Sequence, residues 1–225
     1  MRQALAISLF LLALMFFLKR KVIYSVLTIV LASLFHTSAL VMIPILFVPY
    51  KKLKISSKSS IIIVITFLLL FIIGDLFSDF IQIITKNYFI TYYVKYFNNE
   101  VILIIGSGLG VLSMLILLLI TLYYTKVQEK KLEIIFKVFL LSFFLIPLSL
   151  YVPLISRVGF YISVLSIVVY PNIIFSVNSN LKRGIILWFI IIITLYNFNV
   201  FFNSAIWRED FLIYKTIISQ LSFYD

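Results

Sequence analysis

Long apolar runs separated by short polar punctuation make up this chain. The runs Ala4–Leu18, Val22–Val48, Ile61–Ile73, Val101–Tyr124, Val138–Val152, Phe160–Phe175 and Gly184–Phe202 are continuous. They lack the period-two alternation of a membrane β-barrel. A run of about 20 apolar residues crosses a bilayer as a helix. The pattern therefore predicts an all-α fold, a polytopic transmembrane helical bundle of about seven spans, with residues 1–225 forming a single domain. Two stretches repeat at helical spacing instead. Leu76, Phe77, Phe80, Ile81, Ile84 and Tyr88 oppose Asp79, Gln82 and Lys86, while Phe211, Tyr214, Ile218 and Leu221 share a face in the tail. Both predict interfacial amphipathic helices.

Composition agrees and narrows the class. The 225 residues are 64% hydrophobic and 12% charged, with a mean hydropathy of +1.19. A soluble domain carries about twice that charged fraction. The net charge of +11 does not indicate nucleic-acid binding, because the cations cluster in short loops between apolar runs, as the positive-inside bias predicts. There is no cysteine, which excludes a disulfide framework and thiolate chemistry. With one histidine and eight acids, no metal site is expected, and no cofactor is implied. Ala4–Leu18 has the length of a signal-peptide core. It runs into Lys19-Arg20-Lys21 without a small-residue cleavage region, so it is expected to be retained.

Positive-inside counting places Lys182-Arg183, Lys126 to Lys137 and Lys51 to Lys58 on the cytoplasmic side. The loop from Gly74 to Glu100, the Arg157 turn and the tail after Asn203 then face outward. One segment resists the count. Basic clusters flank Val22–Val48 on both sides, and a single helix over it, ~40 Å long, would put one of them outside. The alternative is a broken or re-entrant pair of arms, each about 20 Å, tolerable only within a protein bundle. The turn would then fall near His36-Thr37-Ser38, and Pro44 would add irregularity by removing a backbone donor. That arrangement would place Arg2, His36, Arg157 and Arg208 on one outer side.

Few residues could carry chemistry. His36 is the sole histidine, with no charged residue between Lys21 and Lys51. On sequence physics alone the structural reading comes first, with the imidazole bonded to Thr37, Ser38 or a neighbouring helix. As an actor it could take a proton from a sugar hydroxyl or donate to a phosphate. Arg157 lies outward against the usual charge bias, and its planar fork suits a diphosphate, although an arginine at a helix end also simply snorkels. Arg2 and Gln3 open the first run, where basic flanks are ordinary. Arg208, beside Glu209 and Asp210, fits a surface pair. The aromatic stretch around Tyr92, Tyr93 and Tyr96 fits an interface belt before it fits a platform for sugar rings. Gly106 and Gly110 have the spacing of a close helix-packing face.

The Arg2-Gln3-Ala4-Leu5-Ala6 opening, a short basic turn and then Leu31-Ala32-Ser33-Leu34-Phe35-His36-Thr37-Ser38-Ala39-Leu40 together resemble the EpsG-like family. These are bacterial exopolysaccharide and capsule biosynthesis proteins related to Wzy-type O-antigen polymerases. Arg157 with Tyr161 resembles that family's arginine ahead of a late helix. Members usually carry further helices before the Arg-Gln element, whereas Met1 directly precedes it here. The chain is therefore expected to be the C-terminal part of a longer pattern.

The resemblance implies a multi-pass protein of the bacterial cytoplasmic membrane that polymerises lipid-linked glycans. Its partners would be undecaprenyl-diphosphate-linked oligosaccharide, membrane lipids and other polysaccharide assembly proteins. His36, Arg157 and Arg2 would form the catalytic set, with Gln3, Ser38, Tyr92, Tyr93, Tyr96, Tyr161 and Arg208 binding substrate. A transporter, flippase or non-catalytic assembly component of the same pathway is the alternative. A transporter should spread its polar groups through the depth of the bundle, and this chain concentrates them at one level.

Overall fold

The computed structural model describes residues 2–50, 52–86, 108–125, 130–151 and 153–203. All regular structure among them is helical. In chain order the helices are α1 (Arg2–Leu18), α2 (Val22–Phe35), a 3₁₀ segment (Thr37–Val41), α3 (Met42–Phe47), α4 (Ser57–Lys86), α5 (Gly108–Thr125), α6 (Lys130–Leu140), α7 (Ser142–Tyr151), α8 (Pro153–Ser163), α9 (Ser166–Ser176) and α10 (Asn180–Asn203).

The first two helices form the most extensive pairing in the fold. Helix α1 buries Ala6, Phe10, Ala13 and Leu14, and α2 buries Ser25, Ile29 and Ala32. Both sets follow the three-to-four-residue spacing of one helical face. Alanine and serine at four of these positions let the two backbones approach closely. The turn between them closes as a Schellman motif. The Lys21 amide donates to the Phe16 carbonyl and the Arg20 amide to the Phe17 carbonyl, each at 2.9 Å. Arg20 takes the left-handed position (φ 61°) that glycine ordinarily fills.

Val22–Val48 is broken, and it folds back. Helix α2 stops at Phe35, and His36 is extended (φ −154°, ψ 112°). The chain continues as a 3₁₀ turn and the short α3. An uninterrupted α-helix would press the Pro44 ring against the Leu40 carbonyl and leave that acceptor without its donor; the 3₁₀ turn through Leu40 and Val41 avoids this. Leu46–Tyr50 and Lys52 return beside Phe17, Leu18, Arg20 and Val22, where both arms of the hairpin line one cleft. The basic turn Lys19–Lys21 and Lys52 thus share one end of the molecule, and the conflict between flanking clusters disappears.

Helix α4 begins at a reciprocal serine cap. The Ser56 amide donates to Ser59 Oγ at 2.7 Å, and the Ser59 amide to Ser56 Oγ at 3.2 Å. The apolar span was expected to end near Ile73, with a separate amphipathic helix beginning at Leu76 in an outer segment. Instead α4 runs unbroken to Lys86; a lone glycine is tolerated in a helix, and neither Asp75 nor Asp79 interrupts it. Tyr92, Tyr93, Tyr96, Gly106, Arg208 and the amphipathic tail lie outside the described residues.

Among the described residues, three stretches are long and apolar enough to cross a membrane: Leu132–Ser149, Ile155–Ser176 and Asn180–Val200. Shorter apolar helices cover Arg2–Leu18, Val22–Phe35, Thr37–Phe47, Ser57–Phe71 and Leu109–Tyr124. Over the described residues this is an all-helical membrane protein with three candidate membrane spans; about seven spans were expected for the whole chain. The difference at the N-terminal end has a physical cause, since the hairpin divides one long run into two short arms. Span five also starts earlier than its apolar run suggests. Lys137 was assigned to a cytoplasmic loop, but it lies on α6, where Glu133 pairs with it one turn away.

Candidate functional site

Three separate segments meet where α1 begins. Gln3, on the first turn of α1, donates its side-chain amide to the backbone carbonyl of Arg157 at 3.2 Å. Arg157 sits near the start of α8, whose first residue is Pro153. Proline suits that position because it carries no amide to leave unpaired. The expected Arg157 turn is therefore a helix, and Arg157 and Tyr161 stand one turn apart on the same face. The 3₁₀ segment packs against α8 and α1, which brings the break after α2 to the same place. The Arg157 guanidinium lies close enough to interact electrostatically with the His36 imidazole.

Tyr161 fixes the deeper layer. It is fully buried, and its ring meets Phe10 edge-on, with centroids 5.8 Å apart and planes at 88°. That arrangement places the positive edge of one ring on the negative face of the other. The Tyr161 and Ser38 hydroxyls face each other. Neither attains hydrogen-bonding geometry with any described protein group, and the same holds for His36 Nε2. Three buried polar atoms without a protein partner are thus gathered around Arg157. Such atoms ordinarily find a partner in a folded protein, so this cluster is suited to receive a polar ligand. It offers an imidazole nitrogen, two hydroxyls and one guanidinium.

The structure brings Gln3, His36, Ser38, Arg157 and Tyr161 together. Arg2 lies on the same first turn as Gln3 but is exposed, and no described residue hydrogen-bonds it. Nothing among the described residues groups three His, Asp or Glu side chains as metal ligands.

The opposite end of the hairpin is held by a contact the sequence did not announce. Lys137, 6% exposed, donates to the Tyr50 carbonyl at 2.9 Å and pairs with Glu133. The Tyr50 hydroxyl in turn donates to the Ile45 carbonyl at 2.6 Å. Burial pushes the Tyr50 phenol up to about 12. The Glu133–Lys137 spacing was the available signal. It was missed because the basic run around it reads as solvated loop. Phe10, which orients Tyr161, was missed because one phenylalanine among 23 carries no mark of its own.

Among known protein families, the EpsG family matches the chain over residues 1–216. No curated protein matches it, and no solved structure does.

Proposed function

The chain belongs to the EpsG family, with a role in polysaccharide biosynthesis, and from that premise we propose that it polymerises lipid-linked glycans. The glycan carried on undecaprenyl diphosphate is transferred to a sugar hydroxyl of a second lipid-linked unit, at the outer face of the bacterial cytoplasmic membrane. The bond between the sugar's anomeric carbon and the diphosphate oxygen breaks, and a bond to the acceptor hydroxyl oxygen forms. The lipid diphosphate leaves, and the acceptor proton passes to His36 Nε2. An imidazole whose Nε2 is buried and unpaired is suited to that proton transfer.

Arg157 neutralises the diphosphate, for which its planar, permanently charged fork is matched, and Arg2 adds a second positive charge at the same end. Gln3 holds the Arg157 backbone. The Ser38 and Tyr161 hydroxyls orient donor or acceptor oxygens. Tyr92, Tyr93, Tyr96 and Arg208 supply the sugar-binding surface. What supports this reading is the convergence of Gln3, His36, Ser38, Arg157 and Tyr161 from three segments, with His36, Ser38 and Tyr161 each presenting a polar atom that no described protein group satisfies.

The test is chain-length analysis of surface polysaccharide in a strain lacking the protein. Loss of polymer with accumulation of single lipid-linked repeat units is the expected result. Normal polymer length with reduced export would assign the protein to transport instead.

A further inference from the structure

The hairpin creates a second concave feature, at the end of the molecule away from His36. A cleft of about 640 Å³ opens between the α1–α2 turn and the segment that returns from α3. Its floor is apolar, with Phe17, Leu46, Phe47 and Ile134, and Arg20 and Lys52 stand at its edge. The neighbouring charges are engaged elsewhere. Lys21 lies over the Tyr24 ring at 5.8 Å, and Glu133 pairs with Lys137. No acid lines the cleft among the described residues, so its two cations are uncompensated.

Arg20 adds an independent observation. It occupies the left-handed position of the helix-ending motif (φ 61°), where glycine is the ordinary residue and any side chain is strained. A residue kept against its backbone preference invites a role for its side chain. Here that side chain is a guanidinium set beside an apolar hollow.

We propose that this cleft binds a phospholipid with an anionic headgroup. The phosphate pairs with Arg20 and Lys52 and an acyl chain lies on the Phe17–Leu46–Phe47 floor. The chemistry fits a membrane lipid better than a free anion, because the hollow is mainly apolar and its cations sit in basic turns of the kind that the positive-inside bias sets at the cytoplasmic membrane surface. Bound lipid would clamp both strands of the hairpin, and so hold the His36 break from the opposite side.

The experiment is thermal unfolding of the purified full chain in detergent, with phosphatidylglycerol, phosphatidylcholine or inorganic phosphate added. The variants are Arg20→Gly and Lys52→Gln. Phosphatidylglycerol is expected to raise the unfolding temperature of the native chain, while phosphatidylcholine and inorganic phosphate do not. Both variants are expected to lose that rise. Arg20→Gly should unfold no earlier than the native chain without lipid, since glycine relieves the strained position; if it unfolds early, Lys52→Gln alone decides. A phosphatidylglycerol effect preserved in Lys52→Gln overturns the proposal. So does an equal effect of phosphatidylcholine, or a phosphate effect as large as that of the lipid.

Discussion

Gln3 and Arg157 are 154 residues apart in sequence, and a single hydrogen bond of 3.2 Å joins the side chain of one to the backbone of the other. The bond ties the start of the first helix to the helix that carries the cation. It holds the Arg157 main chain rather than its guanidinium, so Gln3 is a positioning residue. Gln3→Leu, which keeps the volume and removes the donor, should cost about 1 kcal/mol of local stability. If that loss appears fully in the positioning of Arg157, polymerisation should slow by up to about fivefold. Gln3→Asn, with a shorter reach, should fall between. Polymer length distributions in complemented strains at matched protein levels check the order. Equal activity in all three would mean that the bond positions nothing of consequence.

Tyr161 separates a structural role from a functional one. Its hydroxyl is buried without a described protein partner, while its ring packs on Phe10. Tyr161→Phe keeps the ring and deletes a hydroxyl that costs about 1–3 kcal/mol to bury unpaired. Stability should therefore hold or rise, while polymer yield drops. Tyr161→Ala should lose about 3–5 kcal/mol of stability with the ring. Unfolding temperature and polymer yield, measured on the same variants, give the two readouts. A Tyr161→Phe protein that is both stable and fully active would remove this residue from the site.

Lys137 and Tyr50 should govern how firmly the returning arm is held. Lys137→Met leaves the Tyr50 carbonyl without its donor and should destabilise the fold by about 1–3 kcal/mol. The Tyr50 phenol adds a signature at alkaline pH. Its folded value of about 12 lies above the value near 10 of an unfolded chain. Its contribution is therefore complete below about pH 10 and is lost as pH rises towards 12. Comparison with Tyr50→Phe, which cannot ionise there, isolates that loss from the titration of the other tyrosines and lysines. Parallel curves for the two proteins across that window would show that Tyr50 does not ionise differently in the folded chain.

The hairpin itself can be mapped directly, because the chain contains no cysteine and every introduced thiol is unique. Thr37 and Lys54 are both exposed. In intact cells, Thr37→Cys should react with a membrane-impermeant thiol reagent, and Lys54→Cys only after permeabilisation. Matching accessibility of the two would contradict a fold-back between them.

Much of this arrangement was legible in the residues. Two basic clusters around a single apolar run, with Pro44 inside it, already argued for a break near His36, and the break lies there. The Arg2-Gln3 and His36-x-Ser38-Ala39 elements carried the family resemblance. What was not legible depended on partners distant in sequence. The burial of Lys137 needs the Tyr50 carbonyl, which the hairpin delivers from 87 residues away. Arg157 read as a turn residue because it falls between the apolar runs that end at Val152 and begin at Phe160, whereas a helix already opens at Pro153. Helix α4 passes through Gly74 and Asp75 because an isolated helix-weakening residue does not outweigh the favourable turns on either side.

The central claim is that His36 and Arg157 act together on a lipid-linked glycan. Its most direct measurement is the length of surface polysaccharide in a deletion strain complemented with His36→Ala, Arg157→Ala or Arg157→Lys, at equal membrane levels of protein. Loss of a general base slows a reaction by about 10²–10⁴-fold, and lysine cannot reproduce the planar fork of arginine. All three strains should therefore accumulate single lipid-linked repeat units, Arg157→Lys less severely than Arg157→Ala. Normal polymer length in both His36→Ala and Arg157→Ala would contradict the account.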